Sequence, residues 1–375
     1  MLNPRLSIIP TLVAPVILTG GWAGAVFVFQ PYGQRTWTLV AVAAVLASLV
    51  LVLRPRPGLR VALRWPRVEW SLGGSLRLGR VTLIVGLTCW LGLIAWSSWS
   101  PGGALPPPKS DPDVIRVVTW NILHGTEGGL PWDRFGWPVR KAALGATLDA
   151  MRPDILCVQE ALSEQVASVA GMLPGHRRVG VGRDDGRTKG EHCAIYLDRG
   201  RFEQLDGGTF WLEEPIDRPP PRLTGGPKRI CTWVRLRDRR SGRCLRVYNT
   251  HFPLTEAARQ QAARIILGRI ALGDPADAVL VAGDFNAGPD HPCRQLFDES
   301  GLRSSAVLAG ESSATPTYQF YGIRLRSLDE ILVDHGWRVI QRRVLDVKPG
   351  NTFPSDHFGV LADLTQFNPP QATGL

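Results

Sequence analysis

The hydrophobic positions of this chain follow two patterns, and the change falls near residue 100. Three apolar stretches without an ionisable residue come first: Leu6–Phe29, Thr36–Leu53 and Val81–Trp99. Each is long enough for a transmembrane helix, which needs roughly 20 apolar residues. Later apolar runs are shorter, partly β-branched and flanked by turn residues, which indicates buried strands. The pattern predicts a membrane segment of about three helices over 1–100 and a separate domain over 113–366.

The loop between the second and third apolar stretches predicts the topology. Residues 54–80 contain seven arginines and a single acid, Glu69, and the positive-inside rule places such a loop in the cytoplasm. The domain that follows Trp99 is then expected outside the cytoplasm. Two alternatives stay open. The first stretch could be a cleaved signal peptide, because Ala23 and Ala25 form a small-residue pair. The arginine-rich loop could also lie on the membrane surface and bind anionic lipid.

After residue 100 the sequence predicts a linker, one domain and a short tail. The linker at 101–112 is rich in Pro and Gly, and the tail covers 367–375. The predicted strands are Val114–Ile122, Asp154–Glu160, Glu191–Leu197, Ile230–Leu236, Leu245–Thr250, Ala278–Asn286, Ser327–Val333 and His357–Leu364. The spacing of apolar residues predicts helices over Val139–Met151 and Thr255–Ala271. Many strands with few helices between them predict an α+β sandwich, with two packed sheets and helices outside.

The net charge of +10 belongs to the N-terminal part of the chain. Residues 1–110 hold ten Lys or Arg and one acid, which leaves 33 bases and 32 acids for the remainder. The pI of about 9.8 is therefore no indication of a nucleic-acid substrate.

Cysteine spacing argues against zinc or redox chemistry in the domain. Five of the six cysteines follow the linker, and no C-x-x-C pair occurs. Cys231 and Cys244 flank a predicted hairpin turn at Arg239–Gly242 at unequal distances, so the sequence does not imply a bond between them. We expect most of these residues to be small buried hydrophobes.

Polar residues stand at the ends of the predicted strands. They are Asn121, Glu160, His251, Asp284, Asn286, Asp356 and His357. Each has an ordinary explanation when taken alone. An Asp or Asn beside Gly, for example, commonly forms an Asx turn. Taken together, apolar strands with polar tips would bring these groups to one edge of a sandwich.

The order of these motifs resembles the endonuclease/exonuclease/phosphatase superfamily, the fold of deoxyribonuclease I-like enzymes. The matching stretches are TWNI (119–122), VQE (158–160), GEHCAIY (190–196), NTHF (249–252), GDFN (283–286), LDEILV (328–333) and SDHFGV (355–360). They span nearly the whole domain. The resemblance implies a four-layer α/β/β/α sandwich and a metal-dependent hydrolase of phosphoester bonds.

The same resemblance implies a metal site and a base. Glu160 would be the principal ligand of Mg²⁺, with Asn121 and Asp356 nearby, and the same oxygen ligands would suit Mn²⁺. Asp284 would activate the attacking water. Asn286 would assist it and hold a phosphate oxygen.

Two acid–imidazole couples are also implied. His251 and His357 would donate hydrogen bonds to the phosphoryl group as negative charge builds on it. Asp329 would orient His357, and Glu191 would orient His251. The chain departs from the family pattern at Glu330, where an aromatic residue is common.

The sequence leaves the substrate open between nucleic acid and a lipid or small phosphodiester. A nucleic-acid groove would need basic side chains, and the candidates are Arg177, Arg178, Arg183, Arg187, Lys189, Arg222, Lys228 and Arg229. A membrane anchor would favour a lipid substrate, because tethering raises the local concentration of the enzyme at the bilayer. Two other hypotheses are a non-catalytic module that binds phosphate or nucleic acid, and a transport protein that works through its spans. The apolar stretches lack the charges that usually mark ion paths. No obligate protein partner is inferred.

Overall fold

The computed structural model of this chain describes residues 86, 102–109, 111–126, 136–221, 226–320 and 322–367. All of them except Gly86 belong to one compact unit that spans Trp96–Leu375. The three predicted membrane spans lie outside the described residues, apart from Gly86. No helix in the described part of the chain combines the length and the apolar character that crossing a bilayer requires.

Within its described residues the unit contains fourteen strands. In chain order they are β1 (Ile115–Asn121), β2 (Ile155–Ala161), β3 (His176–Val179), β4 (His192–Asp198), β5 (Phe202–Trp211), β6 (Ile230–Asp238), β7 (Cys244–His251), β8 (Ala278–Asp284), β9 (Arg303–Ser304), β10 (Tyr318–Phe320), β11 (Ile323–Arg326), β12 (Asp329–Val333), β13 (Trp337–Leu345) and β14 (Gly359–Gln366). One six-stranded sheet has the order β13-β14-β1-β2-β4-β3, and the other has the order β5-β6-β7-β8-β12-β9. Strands β10 and β11 form a separate hairpin. All eight strands predicted from the sequence are present.

Helices cover the outer faces of both sheets. They are α1 (Trp137–Met151), α2 (Ser163–Met172), α3 (Glu256–Ala271), α4 (Pro292–Glu299), α5 (Ser305–Leu308) and a 3₁₀ turn at Pro349–Asn351. One apolar cluster lies between the sheets and combines alternate residues of both, such as Val117 and Leu280. A second cluster packs α1 and α2 on the first sheet, and a third packs α3 and α4 on the other. The predicted α+β sandwich with helices outside is therefore confirmed.

Strand direction brings the ends of several strands to the same edge of the sandwich. β1 runs parallel to β2, and β7 runs parallel to β8, with His251 opposite Asp284 at their ends. β12 is antiparallel to β8 and begins with Asp329, which also lies opposite Asp284. Gly283 has φ +152°, and a Cβ there would lie 2.1 Å from the carbonyl oxygen of Thr250. Only glycine allows the two strands to approach this closely just before Asp284.

The domain cysteines form no disulfide. Cys157, Cys193, Cys231 and Cys293 are buried as free thiols, and Cys244 is a partly buried free thiol. Their interpretation as small buried hydrophobes is confirmed for the four buried ones.

Candidate active site

Asn121 joins two carboxylates at the edge where the strands end. Its side chain is fully buried at the end of β1. The amide nitrogen Nδ2 donates to Glu160 Oε1 at 3.1 Å and to Asp284 Oδ2 at 2.9 Å. The backbone N–H of Leu123 donates to Asn121 Oδ1 at 3.1 Å and so fixes the orientation of the amide. The predicted metal ligand and the predicted base therefore share one hydrogen-bond donor.

Glu160 lies where strand β2 departs from regular pairing. The register with β4 shifts between Val158 and Ala161, and Glu160 has φ +61°, which is unusual for a residue with a Cβ. Such an irregularity changes the direction of a side chain, which in a regular strand would alternate between the two faces of the sheet. His124 contacts the same carboxylate, with Nδ1 3.1 Å from Glu160 Oε2 and the backbone N–H donating to that oxygen at 3.3 Å. Burial raises the pKa of Glu160, but the hydrogen bond from His124 opposes it, and the net pKa lies well below its usual range.

Asp356 supplies the second carboxylate of the predicted metal site. Its side chain is buried, and Oδ1 accepts a hydrogen bond from the Ser355 hydroxyl at 3.2 Å. Burial raises the pKa of Asp356, the positive charge of His357 opposes that rise, and the negative charge of Glu160 adds to it. Repulsion between buried carboxylates is what a bound cation would relieve. The two carboxylates are oxygen donors that fit a hard divalent cation, whereas Asn121 turns its NH₂ group towards Glu160 and its oxygen towards the N–H of Leu123.

A different set of possible ligand atoms lies in Asp284, Asp329 and His357, all within 4.8 Å of one another. Asp329 Oδ2 and His357 Nδ1 are already bonded to each other at 2.7 Å, so both atoms are engaged. A positively charged imidazole would also repel a cation. The placement of the cation at Glu160, Asn121 and Asp356 therefore stays a prediction.

Asp284 lies between the two histidines. Its Oδ2 is 3.5 Å from His251 Nε2 and 3.9 Å from His357 Nε2. Its Oδ1 accepts the backbone N–H of Asn286 at 2.8 Å. Burial and then the negative charge of Asp329 raise the pKa of Asp284 to about 7, which is suitable for a general base near neutral pH.

The two histidines have different electrostatic environments. Burial lowers the pKa of both, but the carboxylate of Asp329 outweighs this effect at His357, whose pKa lies well above its usual value. At His251 the charge of Arg229 adds to burial, and the pKa lies well below its usual value. These surroundings favour the cationic form of His357 and the neutral form of His251.

Only one of the two implied acid–imidazole couples forms a hydrogen bond. Glu191 Oε2 lies 4.0 Å from His251 Nδ1, and that nitrogen has no hydrogen-bond partner within the described ranges. Arg183 binds Glu191 instead, with Nη1 donating to Oε2 at 2.5 Å and Nη2 to Oε1 at 2.8 Å. The guanidinium fork pairs with both carboxylate oxygens, so Glu191 is hydrogen-bonded to Arg183 and not to the imidazole.

Asn286 lies two residues after Asp284, and a hydrogen bond fixes the orientation of its side-chain amide. It has φ +48°, and its Nδ2 donates to the carbonyl oxygen of Phe252 at 2.9 Å. The predicted residues Asn121, Glu160, Asp284, Asn286, Asp329, Asp356, His251 and His357 thus lie at one edge, with Glu191 beside it.

Sequence patterns missed two neighbours of the site. His124 follows Asn121 by three residues but lies beyond the strand, where no periodic pattern marks it. Tyr318 in β10 packs its ring on His357, with 5.0 Å between ring centroids and 50° between planes. The sequence feature that could have indicated Tyr318 is its position ten residues before the LDEILV motif.

The basic residues proposed for a nucleic-acid groove differ in their exposure. Arg177 and Arg178 are exposed on β3, whereas Arg229 is buried beside Glu191. Arg222 lies outside the described residues.

Comparison with known proteins places this geometry in a family. The model of the "Endonuclease/Exonuclease/phosphatase family" matches residues 118–357, which is more than half of the chain. The chain belongs to the endonuclease/exonuclease/phosphatase family. The family description names nucleases and phosphatases, and both classes hydrolyse phosphoester bonds.

Several relatives are similar over the same region. A solved family member from Bacteroides vulgatus is 28% identical, with a TM-score of 0.62, and the match covers 68% of this chain and 99% of that one. The mannosyl-6-phosphatase of Bacteroides thetaiotaomicron is 25% identical, with a TM-score of 0.62, over 67% and 99% of the two chains. Human nocturnin is 23% identical over 299 residues, which is 69% of this chain and 66% of nocturnin. The chain thus spans about two thirds of the length of that relative.

Proposed function

We propose that the domain is a divalent-metal-dependent hydrolase of phosphoester bonds. The observation that carries the proposal is the position of Asp284 Oδ2. It accepts a hydrogen bond from Asn121 at 2.9 Å and lies 3.5 and 3.9 Å from the Nε2 atoms of His251 and His357. A buried base that faces two imidazoles and shares a donor with Glu160 fits water attack on a phosphoryl group.

The carboxylates of Glu160 and Asp356 would hold the cation, with Asn121 beside them. Mg²⁺ is the expected ion, and Mn²⁺ is an alternative. The bound ion would supply positive charge to the phosphate oxygens and to the leaving oxygen.

Each remaining group then has a role that its surroundings favour. Asp284 takes the proton of the attacking water, and the Asn286 N–H on Oδ1 keeps the other oxygen turned towards the site. The amide of Asn286 and the Nε2 of His251 bind phosphoryl oxygens. His357, held cationic by Asp329, donates from Nε2 to the oxygen on which negative charge builds.

One of the comparisons supports a small phosphoester as the substrate. One similar structure is named a mannosyl-6-phosphatase, so its printed substrate is a phosphorylated sugar. Exposed arginines on β3 keep nucleic acid as the alternative substrate.

We also propose that the three apolar stretches of residues 1–100 hold the enzyme at a membrane with the domain outside the cytoplasm. The support is the apolar stretches and the seven arginines of residues 54–80. A reporter fused after Leu375 should be active only outside the cytoplasm, and cytoplasmic activity would reverse the proposed topology.

A substrate panel on the purified protein tests the catalytic proposal. The panel contains single- and double-stranded DNA, RNA, sphingomyelin, phosphoinositides, a hexose 6-phosphate and bis-p-nitrophenyl phosphate, each with Mg²⁺ or EDTA. We expect metal-dependent turnover of at least one compound, which Asp284→Ala and His357→Ala both abolish. A folded, metal-loaded protein that turns over none of them would favour the non-catalytic binding module.

A further inference from the structure

A short stretch of strand pairing holds Tyr318 beside His357. Thr317 and Gln319, the neighbours of Tyr318, form backbone hydrogen bonds of 2.6 and 2.9 Å with the residues on either side of His357. These two bonds flank an antiparallel bridge between Tyr318 and His357. Residues that lie opposite each other in such a bridge direct their side chains to the same face, and a pair flanked by its bonds is the closer kind. Tyr318 therefore faces the active site together with His357.

Both neighbours of Tyr318 are anchored in the domain. Thr317 and Gln319 are fully buried. The hydroxyl oxygen of Thr317 accepts two backbone N–H groups, one of them from Asp329, each at 3.0 Å. The side-chain amide of Gln319 donates to the carbonyl oxygen of Ser355 at 2.8 Å. The backbone around Tyr318 is thus bonded to both segments that carry the acid–imidazole couple.

The side chain of Tyr318 ends in a hydroxyl that has no role in the proposed function. Its ring contacts that of His357, with 5.0 Å between the centroids. The residue is partly exposed, and its hydroxyl makes no hydrogen bond to any residue that the structure describes. The phenol is longer than the imidazole beside it, so the hydroxyl extends beyond that ring. The site therefore contains a hydrogen-bond donor that a substrate can reach.

The charges around the hydroxyl indicate its side of the site. Burial raises the pKa of Tyr318 to about 12, and the negative charges of Asp356 and then Glu160 add to this rise. Arg326 opposes it, and Asp284 contributes less than the other two carboxylates. The phenol is therefore protonated at neutral pH and interacts more strongly with the predicted cation-binding carboxylates than with the predicted base. Because the attacking and leaving oxygens of a phosphoryl transfer lie roughly in line, a donor on the side away from the base meets the leaving oxygen.

We propose that Tyr318 is a further catalytic residue, whose hydroxyl donates a hydrogen bond to the leaving oxygen of the phosphoester. This inference rests on the proposed function and adds a group to it. The oxygen of water bonds to phosphorus, its proton passes to Asp284, and the bond between phosphorus and the leaving oxygen breaks. Negative charge builds on that oxygen, and a donor positioned there stabilises the transition state. Tyr318 keeps its own proton, and the departing oxygen takes one from solvent water.

The test compares leaving groups in wild type and Tyr318→Phe, which loses the hydroxyl and keeps the ring on His357. We would measure kcat/KM of the full-length protein with Mg²⁺ on p-nitrophenyl and phenyl phosphate, on bis-p-nitrophenyl and diphenyl phosphate, and on a hexose 6-phosphate. The nitro group already spreads the charge of the leaving oxygen, so the loss on the p-nitrophenyl esters should be less than about tenfold. On the phenyl esters and the hexose 6-phosphate the loss should reach about 10²-fold, in the usual range for one such donor.

Two further measurements separate a direct role from an effect through His357 or through folding. The alkaline limb of the pH–rate profile should not move in Tyr318→Phe, because the ring that packs on His357 is retained. The unfolding temperature should match that of wild type, because the hydroxyl has no partner to lose among the described residues. The control Tyr196→Phe removes a buried hydroxyl that donates to the carbonyl oxygen of Val166 in α2 at 2.9 Å. It should lower the unfolding temperature and leave every kcat/KM unchanged.

Several results would overturn the inference while the proposed function stands. They are equal losses on good and poor leaving groups, full activity of Tyr318→Phe on the poorest leaving group that wild type hydrolyses, and an alkaline limb that moves. A Tyr318→Phe protein that unfolds well below wild type would make the hydroxyl a structural group and would also overturn it. A wild-type protein that hydrolyses none of the esters would refute the proposed function, and this inference with it.

Discussion

The substitution Asp284→Asn should abolish catalysis and at the same time stabilise the metal-free protein. The Asp284 carboxylate is 1% exposed, and burial together with the charge of Asp329 raises its pKa from 3.8 to about 7. A raised pKa means that folding favours the protonated acid. The stability from this group is complete below pH 3.8 and is lost as the pH rises through 7. Asparagine resembles the protonated acid and cannot ionise.

The size of the effect follows from the shift in pKa. Each pKa unit corresponds to about 1.4 kcal/mol, so a shift of about three units sets a ceiling of ~4 kcal/mol for the difference between pH 4 and pH 8. Both oxygens of Asp284 accept hydrogen bonds, from Asn121 and from Asn286, and an amide can accept only one of them. That loss costs about 1–3 kcal/mol. We therefore expect Asp284→Asn to be about 1–3 kcal/mol more stable than wild type at pH 8, with no advantage at pH 4.

Urea unfolding of both proteins in EDTA, at intervals from pH 4 to pH 8.5, measures this difference. Groups that titrate in the same way in both proteins cancel from it. Mg²⁺ should narrow the gap at pH 8, because a cation near Glu160 would also stabilise the wild-type carboxylate. A stability difference that does not change with pH, or a variant less stable at pH 8, would refute the interpretation of Asp284 as a destabilised base.

Three further predictions concern neighbouring groups. Asp329→Asn removes the acceptor at 2.7 Å that keeps His357 cationic, so kcat should fall about 10²- to 10³-fold. His357 loses its positive charge as the pH rises through its pKa, and without Asp329 that pKa should be lower. The alkaline limb of the pH–rate profile should therefore move to lower pH in this variant. An unchanged alkaline limb would contradict the proposed role of Asp329. Glu160→Gln should raise the Mg²⁺ concentration for half-maximal activity at least about tenfold, measured by Mg²⁺ titration after EDTA treatment, whereas an unchanged midpoint would place the cation elsewhere. The Asp363 carboxylate accepts hydrogen bonds from Nε and Nη2 of buried Arg116, both at 2.8 Å. Asp363→Asn removes the negative charge of this ion pair and should lower the free energy of unfolding by about 3–5 kcal/mol. The activity per folded molecule should be unchanged. A loss below about 1 kcal/mol in urea would show that this ion pair contributes little.

The sequence predicted the inner strands of both sheets because their two faces are buried. β1 and β8 are buried at every position, so they appear as continuous apolar runs with a polar end. β5 was missed because Asp206, Gly207 and Gly208 interrupt its alternation, and the register with β6 shifts beside them. β13 lies at the edge of its sheet and carries exposed Arg338, buried Arg342 and partly buried Arg343, which removes the alternation that marks a strand.

The site residues were predictable for the same reason, since most of them lie at or beside an end of an inner strand. Their partners were less predictable. The resemblance implied an acid for each imidazole, but the sequence carries no sign that Arg183, eight residues before Glu191, would bind that acid first. The contact of His124 with Glu160 depends on the irregular backbone of Glu160, which no periodic pattern encodes.

The shared donor at Asn121 has a consequence for the interpretation of kinetic data. One NH₂ group serves Glu160 and Asp284, so a substitution at either carboxylate frees a proton of the amide and changes the remaining bond. Free-energy changes measured at residues that share a partner do not add. The loss of activity in a Glu160 variant will therefore include part of the contribution of Asp284. The loss in an Asp284 variant will likewise include part of the contribution of Glu160. A double-mutant cycle with and without Asn121 is needed before either value can be attributed to metal binding or to proton transfer.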